Sequence, residues 1–304
     1  MKLFFRLSLV TIVFTLFSSL GNGAKFVEEL MPGDRALISL TKTVDWAAID
    51  KMGNQVVYIR NARNLSDSST IEWIDLKSVE LKKRGKGLYY SKHLKNYSFL
   101  PETYKTLFFE FNARFYHPEF SPRGKQVCFI TDTDSLNMQP HVYDVKSGRL
   151  KRTEIEGVYN VSWHGDLDLL VCFDSDSTKL YKYNLATKDT TLVKKFDKKI
   201  NSISRQRSSY LIGFKKRVEQ YNKSFVYKSG YPIPYSYHKV YLLDELTMIT
   251  TSSRDATVKI DFNNNYITTL APGSKDIEPV LNETNELMVS YSKTLEGILL
   301  RVME

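Results

Sequence analysis

Cysteine is scarce in this sequence, since the 304 residues include only Cys128 and Cys172. Two cysteines cannot form the dense disulfide framework of a small secreted scaffold, and they supply too few thiolates for a cysteine-rich zinc site. They lie in similar apolar segments, QVCFI and LVCFD. If these segments are equivalent strands of successive repeats, the thiols point the same way and are further apart than the roughly 5.5 Å Cα spacing of a disulfide. We therefore expect both cysteines to be unpaired and buried.

Short catalytic signatures are also missing. None of the five histidines belongs to a His-x-x-x-His or His-Glu-x-x-His spacing, which excludes the usual zinc-hydrolase motif. The sequence has no Gly-x-Ser-x-Gly nucleophile elbow. It also has no sialidase-type Ser-x-Asp-x-Gly-x-Thr-Trp box. We therefore favour a non-catalytic protein, expect no cofactor and no resident metal, and assign no catalytic residue.

Long apolar runs are absent except at the N-terminus. Residues 1–24 contain Lys2 and Arg6, then an uncharged apolar stretch at 7–20, then small residues. This order is typical of a secretory signal peptide, and the stretch is shorter than the roughly 20 residues of a membrane span. We expect residues 1–24 to be removed and residues 25–304 to form one domain, periplasmic or secreted, without a membrane span.

The composition favours strands. Glycine (14) and proline (9) are modest, whereas tyrosine (19) and phenylalanine (17) are abundant. With 42% hydrophobic and 25% charged residues, the chain has enough apolar side chain for a full core. No segment shows a long helical apolar stripe, so the sequence predicts an all-β protein.

Three stretches repeat the same order of features. Residues 49–83, 121–154 and 162–195 each contain a turn with glycine, an apolar strand, a polar loop, an alternating strand ending in Asp or Asn, and another turn. A short Asx side chain can hydrogen-bond the backbone of the turn that follows it. This marker recurs at separations of 40, 38 and 39 residues, as Asp144, Asn184, Asn222 and Asp261. The period is typical of the four-stranded blades of a β-propeller.

The blade count depends on residues 84–116. The propeller has seven blades if they form a degenerate blade and six if they are an insertion, and we favour seven. The last repeat stops after its third strand, while the strand-like residues 35–40 have no blade of their own. We expect this N-terminal strand to complete the last blade and close the ring, because a blade without it would expose a sheet edge.

One repeat carries a family resemblance. Residues 121–125 read SPRGK, and the segments VCFI and HVYDV follow. This pattern resembles the TolB-like propeller repeat, with Arg123 in place of the consensus Asp. The segment TSSRDATVKIDF at 251–262 resembles a WD-type repeat strand. The resemblance implies a β-propeller and no particular chemistry, because proline and glycine in this motif shape a turn and the fold hosts many functions.

The sequence allows two further ligand sites. First strands line the central channel of a propeller, so His117 or His238 could contribute to a site there. Two acidic pairs follow second strands and could together bind Ca²⁺: Asp132 with Asp134, and Asp174 with Asp176. Asp is also an ordinary turn residue, and no Gly-containing calcium loop is present, so we favour a polar surface in both places.

Positive charge is in excess. Loss of Lys2 and Arg6 with residues 1–24 changes the formal net charge from +9 to +7. Basic clusters occur at 82–86, 194–199 and 215–217. We place the first two between a fourth strand and the next blade, and the third between a second and a third strand. These connections emerge at the same end of an up-and-down blade. The predicted partner-binding residues are Lys194, Lys195, Lys198, Lys199, Lys215, Lys216 and Arg217.

The leading interpretation is an exported, non-catalytic propeller that acts as a binding scaffold in the periplasm or cell envelope. A basic face would hold a protein or an anionic envelope component. Export argues against nucleic acid as the partner, and we expect a monomer. The alternative is a propeller enzyme, such as a hydrolase, lactonase or lyase, with its site in the central channel. Carboxylates and histidines converging in the channel would favour the enzyme.

Overall fold

The protein is all-β in the parts that the computed structural model describes, apart from one 3-10 turn at Asp174–Asp176. The described residues are 35–39, 45–64, 67–75, 104–133, 137–233, 240–251, 257–264, 266–271, 280–281, 287–292 and 297–302. Their strands form four-stranded antiparallel sheets arranged as the blades of a β-propeller. The predicted all-β β-propeller architecture is therefore confirmed.

The sixth sheet, counted along the described chain, combines the two chain ends, whereas the other five each use four consecutive strands. The sixth consists of β1 (Arg35–Ser39), β24 (Gly297–Val302), β23 (Leu287–Ser292) and β22 (Val280–Leu281), in that order. β1 runs antiparallel to β24, with Arg35 opposite Leu300 and Ser39 opposite Gly297.

The five blades of consecutive strands follow one another from residue 46 to residue 271. The first blade is β2 (Trp46–Ile49), β3 (Gln55–Arg60), β4 (Ser68–Asp75) and β5 (Tyr104–Phe111). The second is β6 (Arg114–Phe120), β7 (Gln126–Asp132), β8 (Gln139–Asp144) and β9 (Leu150–Arg152). The third is β10 (Val158–Trp163), β11 (Asp168–Phe173), β12 (Lys179–Asn184) and β13 (Thr190–Lys195). The fourth is β14 (Ser202–Gln206), β15 (Ser209–Phe214), β16 (Arg217–Asn222) and β17 (Tyr227–Pro232). The fifth is β18 (Val240–Leu242), β19 (Thr247–Thr251), β20 (Thr257–Asp261) and β21 (Tyr266–Ala271).

The expectation of a separate blade within residues 84–116 is wrong. Tyr104–Phe111 pairs with β4 as the fourth strand of the first blade, and Arg114–Phe120 is already the first strand of the second. The count of seven blades is therefore wrong. The basic cluster at 82–86 also belongs to a different connection than expected. These residues lie outside the described part of the chain. The cluster belongs to the connection between the third and fourth strands of one blade.

The Asx marker is confirmed at every predicted position. Asp144, Asn184, Asn222 and Asp261 are the last residues of the third strands β8, β12, β16 and β20. Each side chain accepts a backbone N–H from the following turn, as in the 2.7 Å bond from Ser147 to Asp144 and the 2.9 Å bond from Val226 to Asn222. The bond from the Ser147 N–H holds the pKa of the Asp144 carboxyl below its ordinary value.

A separate apolar cluster fills each gap between successive blades from the first to the fifth. Second strands are covered by a neighbouring blade on both faces, which explains why β7 and β11 read as continuous apolar runs. Trp163 illustrates the packing between the second and third blades. It is 0% exposed, and its indole N–H donates to the carbonyl of Glu119 at 2.9 Å.

The two cysteines behave as predicted. Cys128 and Cys172 are fully buried and form no disulfide, in the second strands of the second and third blades. Cys128 packs into the gap before the third blade and Cys172 into the gap after it, so a whole sheet separates them. Burial raises the pKa of the Cys172 thiol to about 12, which keeps it protonated and unreactive at neutral pH.

Candidate binding surface

The strands of a blade are joined alternately at its two ends, because successive strands are antiparallel. We call one end the turn face: it carries the connections between first and second strands and between third and fourth strands. The other end is the crossover face, which carries the connections between second and third strands and from one blade to the next. Most of the predicted basic residues belong to connections of the crossover face.

Two lysine-rich connections of the crossover face meet between the third and fourth blades. One leads from β13 to β14, and the other is the tight turn between β15 and β16. The ring centroids of Phe196 and Phe214 lie 5.4 Å apart. The backbone N–H of Asn201 donates to the carbonyl of Gly213 at 2.7 Å. These contacts hold the two connections side by side.

The two connections and the last residue of β13 carry five exposed lysines, which we call the basic patch: Lys195, Lys198, Lys199, Lys215 and Lys216. Asp197 is the one acidic residue within the two segments. The Lys199 ammonium lies 5.3 Å from the centre of the Tyr159 ring, whose hydroxyl donates to the carbonyl of Ile200 at 2.6 Å. The patch therefore presents several positive charges on a backbone that the neighbouring rings hold in place.

Lys194 points away from this patch. Its ammonium donates to the carbonyl of Phe225 at 3.3 Å, and it lies 5.0 Å from the centre of the Tyr221 ring. Its role is to fasten the third blade to the fourth. Burial and the neighbouring Glu219 carboxylate raise the pKa of the Tyr221 hydroxyl, which donates to that carboxylate.

Arg217 is also held against its own blade. Its guanidinium pairs with Glu219 at 3.0 Å and donates to the Tyr227 hydroxyl at 3.0 Å. The side chain runs over Gly230, where an added Cβ would come within 2.5 Å of the guanidinium. Of the seven predicted residues, the structure therefore brings five together as a patch and places Lys194 and Arg217 in contacts along the sheets.

Sequence reasoning missed the two phenylalanines that join the connections. The signal was present, because each lysine pair is adjacent to phenylalanine, as KKF at 194–196 and FKK at 214–216. An aromatic residue beside paired lysines on each of two neighbouring connections indicates a buried contact with charges around it. That inference needs the blade boundaries, which fix the two segments as spatial neighbours.

The acidic pairs do not form a metal centre among the described residues, where no group of three or more histidine, cysteine, aspartate or glutamate side chains converges. Asp176 pairs with Lys179 at 2.5 Å, and hydrogen bonding and charge from that lysine lower the pKa of the carboxyl. Asp174 belongs to the same 3-10 turn. Asp134 lies outside the described residues.

The central channel contains a small mixed-charge cavity on the turn face. It measures about 70 Å³ and is lined by residues that include Lys51, Glu119, Ser204, Arg205 and Tyr241. The Glu119 carboxylate accepts the Ser162 hydroxyl at 3.0 Å and the Trp163 backbone N–H at 3.3 Å. Ligand pockets have volumes of roughly 300–1,000 Å³, so this cavity suits waters or a small ion.

The histidines are spread over different environments. His117 lies in the first strand β6, and its ring centroid is 4.5 Å from that of Trp46. His164 lies in a turn of the turn face, where its Nδ1 is 2.9 Å from the Tyr210 hydroxyl. His141 is buried in β8, and burial lowers its pKa. His93 and His238 lie outside the described residues, so the proposed channel role of His238 stays a prediction.

Among the described residues, which do not include 1–34, no helix is long and apolar enough to cross a membrane.

Comparison with known proteins supports the fold alone. No protein-family model and no curated protein matches the sequence. Among solved structures, TolB from Acinetobacter baumannii is similar with a TM-score of 0.55 and 14% identity, covering 84% of this chain. The chain spans 65% of the length of that TolB chain. A chain of the Mitotic Checkpoint Complex is similar with a TM-score of 0.53 and 9% identity, covering 93% of this chain and 96% of that one. The predicted resemblance to TolB-like and WD-type propellers is therefore confirmed at the level of the fold.

Proposed function

We propose that this chain is an exported, non-catalytic β-propeller that serves as a binding scaffold in the periplasm or cell envelope. Its basic patch holds an acidic protein or an anionic envelope component. The contact between Phe196 and Phe214 carries this proposal, because it unites two lysine-rich connections from neighbouring blades. Five ammonium groups attract anions, and the backbone that carries them is already ordered before binding.

The cavity in the channel favours binding over catalysis on a sugar or lactone. At about 70 Å³ it is small for such a substrate. The Glu119 carboxylate in it already accepts two hydrogen bonds from the third blade. These observations support a scaffold whose partner sits on an outer face.

The basic patch is tested by comparing two variants that lose the same number of positive charges and keep the fold. Lys198, Lys199, Lys215 and Lys216 are changed together to Gln, and binding to an immobilised sulfated polysaccharide and to components of an envelope extract is measured at low and high salt. The control variant removes four exposed cations from elsewhere: K125Q, K146Q, R149Q and K228Q.

The patch variant should weaken binding at least about tenfold at low salt, and the control should change it little, because local potential rather than net charge drives the association. Added salt should weaken wild-type binding, since exposed charges are screened. Equal losses in both variants would contradict a defined site. An unchanged profile of captured envelope components would contradict the patch as the partner surface.

We also infer that β1 closes the propeller as a ring of six blades. The antiparallel register of β1 with β24 supports this, because it supplies the fourth strand that the C-terminal sheet otherwise lacks. Deleting residues 35–40 should abolish cooperative unfolding. Each unpaired buried backbone group costs about 1–3 kcal/mol, and a domain has only about 5–15 kcal/mol to lose. A truncated protein with an unchanged melting temperature would rule out closure by this strand.

The proposal includes export from the cytoplasm. The charged, apolar and small-residue order of residues 1–24 supports removal of a signal peptide and a protein that starts near Lys25. Mass spectrometry of the protein recovered outside the cytoplasm should find no peptide from residues 1–20. Light scattering should give the mass of one chain of residues 25–304.

A further inference from the structure

A second cavity lies on the turn face, between the fourth and fifth blades. It measures about 190 Å³. The fourth blade lines it with residues that include Arg207, Ser209 and Tyr231, and the fifth blade with Asp244 and Glu245. Sites for drug-sized ligands measure roughly 300–1,000 Å³, so this cavity suits a smaller molecule.

A buried glutamine fixes the two sides of the cavity relative to each other. Gln206, at the end of β14, is 8% exposed. Its amide oxygen accepts the Leu242 N–H at 2.8 Å, and its amide N–H donates to the Leu242 carbonyl. Arg207 directly follows this glutamine, and Asp244 lies two residues after Leu242. The cavity is therefore formed before any ligand binds.

The backbone of Arg207 is strained at the rim of the cavity. Gln206 pairs with Ser209, so Arg207 and Ser208 form a two-residue turn between β14 and β15. Arg207 has a φ of 50°, a left-handed conformation for which such turns favour glycine, asparagine or aspartate. Strain of this kind persists where the surrounding structure imposes it and is concentrated at functional sites.

The floor of the cavity is polar and ordered. Tyr231 is 9% exposed, and its ring centroid lies 5.2 Å from that of Phe262. The Ser229 hydroxyl is 3.0 Å from the Tyr231 hydroxyl and 3.0 Å from the amide oxygen of Gln220. The buried Ser209 also lines the floor. A ligand would therefore meet hydrogen-bonding groups whose positions are already fixed.

The two blades supply charges of opposite sign. Among the described lining residues, the charged ones are Arg207 on the fourth blade and Asp244 and Glu245 on the fifth. The Leu246 N–H donates to Asp244 at 2.7 Å and orients that carboxylate. A guanidinium binds a carboxylate through two parallel N–H bonds, and an ammonium group has three donors for the oxygens of two carboxylates. A simple anion or a simple cation would meet a like charge here.

We propose that this cavity binds a small zwitterion of the α-amino acid type. The ligand carboxylate pairs with Arg207, and its ammonium group lies between Asp244 and Glu245. The polar floor with Tyr231 lies beneath the rest of the molecule. This site goes beyond the proposed scaffold function, and it lies at the opposite end of the blades from the basic patch.

The test is isothermal titration calorimetry of the exported protein with the common L-amino acids, each titrated singly. For the amino acid that binds most tightly, two analogues of nearly the same shape are then titrated. The amide analogue lacks the carboxylate, and the α-hydroxy acid analogue lacks the ammonium group. Wild type should bind each analogue at least about tenfold more weakly than the amino acid, because each leaves a charged group of the cavity without its partner.

Two variants assign the two ends of the ligand. R207Q should weaken binding of the amino acid about tenfold and leave binding of the amide unchanged, and E245Q should do the same for the amino acid and leave the hydroxy acid unchanged. R207G should bind as poorly as R207Q and melt at a higher temperature, because glycine favours the left-handed backbone. K223Q and D189N remove exposed turn-face charges outside the cavity and should bind like wild type.

The proposal is overturned if no amino acid binds, or if wild type binds the amino acid and both analogues equally. Binding of glucose without binding of any amino acid would show that the cavity takes a neutral ligand, and would also overturn it. An equal loss on R207Q and K223Q would assign the effect to net charge and contradict the site. The four-lysine variant of the basic patch should bind the amino acid like wild type, so the two sites are tested separately.

Discussion

At each end of the third and fourth blades, aromatic side chains join the two blades. The exposed residues around the two aromatic contacts differ in chemistry. At the crossover face, the contact between Phe196 and Phe214 lies beneath exposed lysines. At the turn face, the stack of His164, Tyr210 and Phe225 lies beside exposed apolar side chains. In both places an aromatic contact between blades fixes two connections, and the residues beside the rings decide the chemistry. Blade packing and surface chemistry are therefore separable in this propeller.

The largest expected effect follows from removing the aromatic contact of the crossover face. Phe214 is 4% exposed and packs against Phe196. F214A should lower the free energy of unfolding by about 3–5 kcal/mol, because the cavity cannot close around a missing ring. Urea denaturation measures the loss. The K215Q/K216Q variant should keep its stability, and a similar loss in that variant would show that packing and charge are not separable here.

A smaller effect is expected at the backbone junction beneath the basic patch. A Cβ on Gly213 would lie 2.1 Å from the Ser202 hydroxyl oxygen, which is buried and has no hydrogen-bond partner. G213A should cost about 1–3 kcal/mol through overpacking. S202A should restore most of that loss in the double variant, because it removes the atom that clashes. Denaturation of both single variants and the double variant tests this, and simple additivity would contradict it.

The turn face should respond differently because its aromatic residue sits on a strained backbone. F225A loses the stack and keeps the left-handed conformation, whereas F225G loses the stack and relieves the strain. F225G should therefore be more stable than F225A by about 1 kcal/mol. Thermal unfolding of the two variants provides the measurement. If F225A is the more stable variant, the left-handed backbone conformation of residue 225 is not strained.

Acidification should produce the smallest effect and act at the turn face. Burial lowers the pKa of His164 in the folded protein, so the unfolded chain takes up a proton first as the pH falls. Stability should decrease below the unfolded pKa of about 6.5 and level off once the folded histidine is also protonated. Denaturation at about pH 7.5 and about pH 5.5 tests this. H164Q should reduce the decrease, and the part that remains should include His141, whose pKa burial also lowers.

Most of the fold could be predicted from the repeat period of the sequence. Asp144 and Asn222 could be predicted as strand ends because the Asx turn is local and needs only the residues that follow it. The extra blade at 84–116 was wrong because the strand Tyr104–Phe111 is separated from its partner β4 by a long connection. Sequence spacing alone could not tell a late fourth strand from a degenerate blade.

The candidate site could be predicted only in part. The exposure of Lys198 and Lys215 follows from their place in polar connections. The contacts of Lys194 with Phe225 and of Arg217 with Tyr227 could not be read from the sequence, because each depends on how a long side chain lies across a sheet. The exposed apolar residues beside the stack, Leu167 and Val226, carry no sequence signal at all. Isolated leucine and valine residues near turns usually pack inward.

The sequence by itself therefore determined the all-β class, the blade period, the Asx turns and the burial of the two cysteines, since hydrophobic patterning and local hydrogen bonding are encoded within a few residues. Tertiary structure decided the meeting of Phe196 with Phe214 and which lysines face solvent. The physical reason is that these contacts join segments from different blades. Their formation depends on how the sheets pack around the propeller rather than on any single stretch of chain.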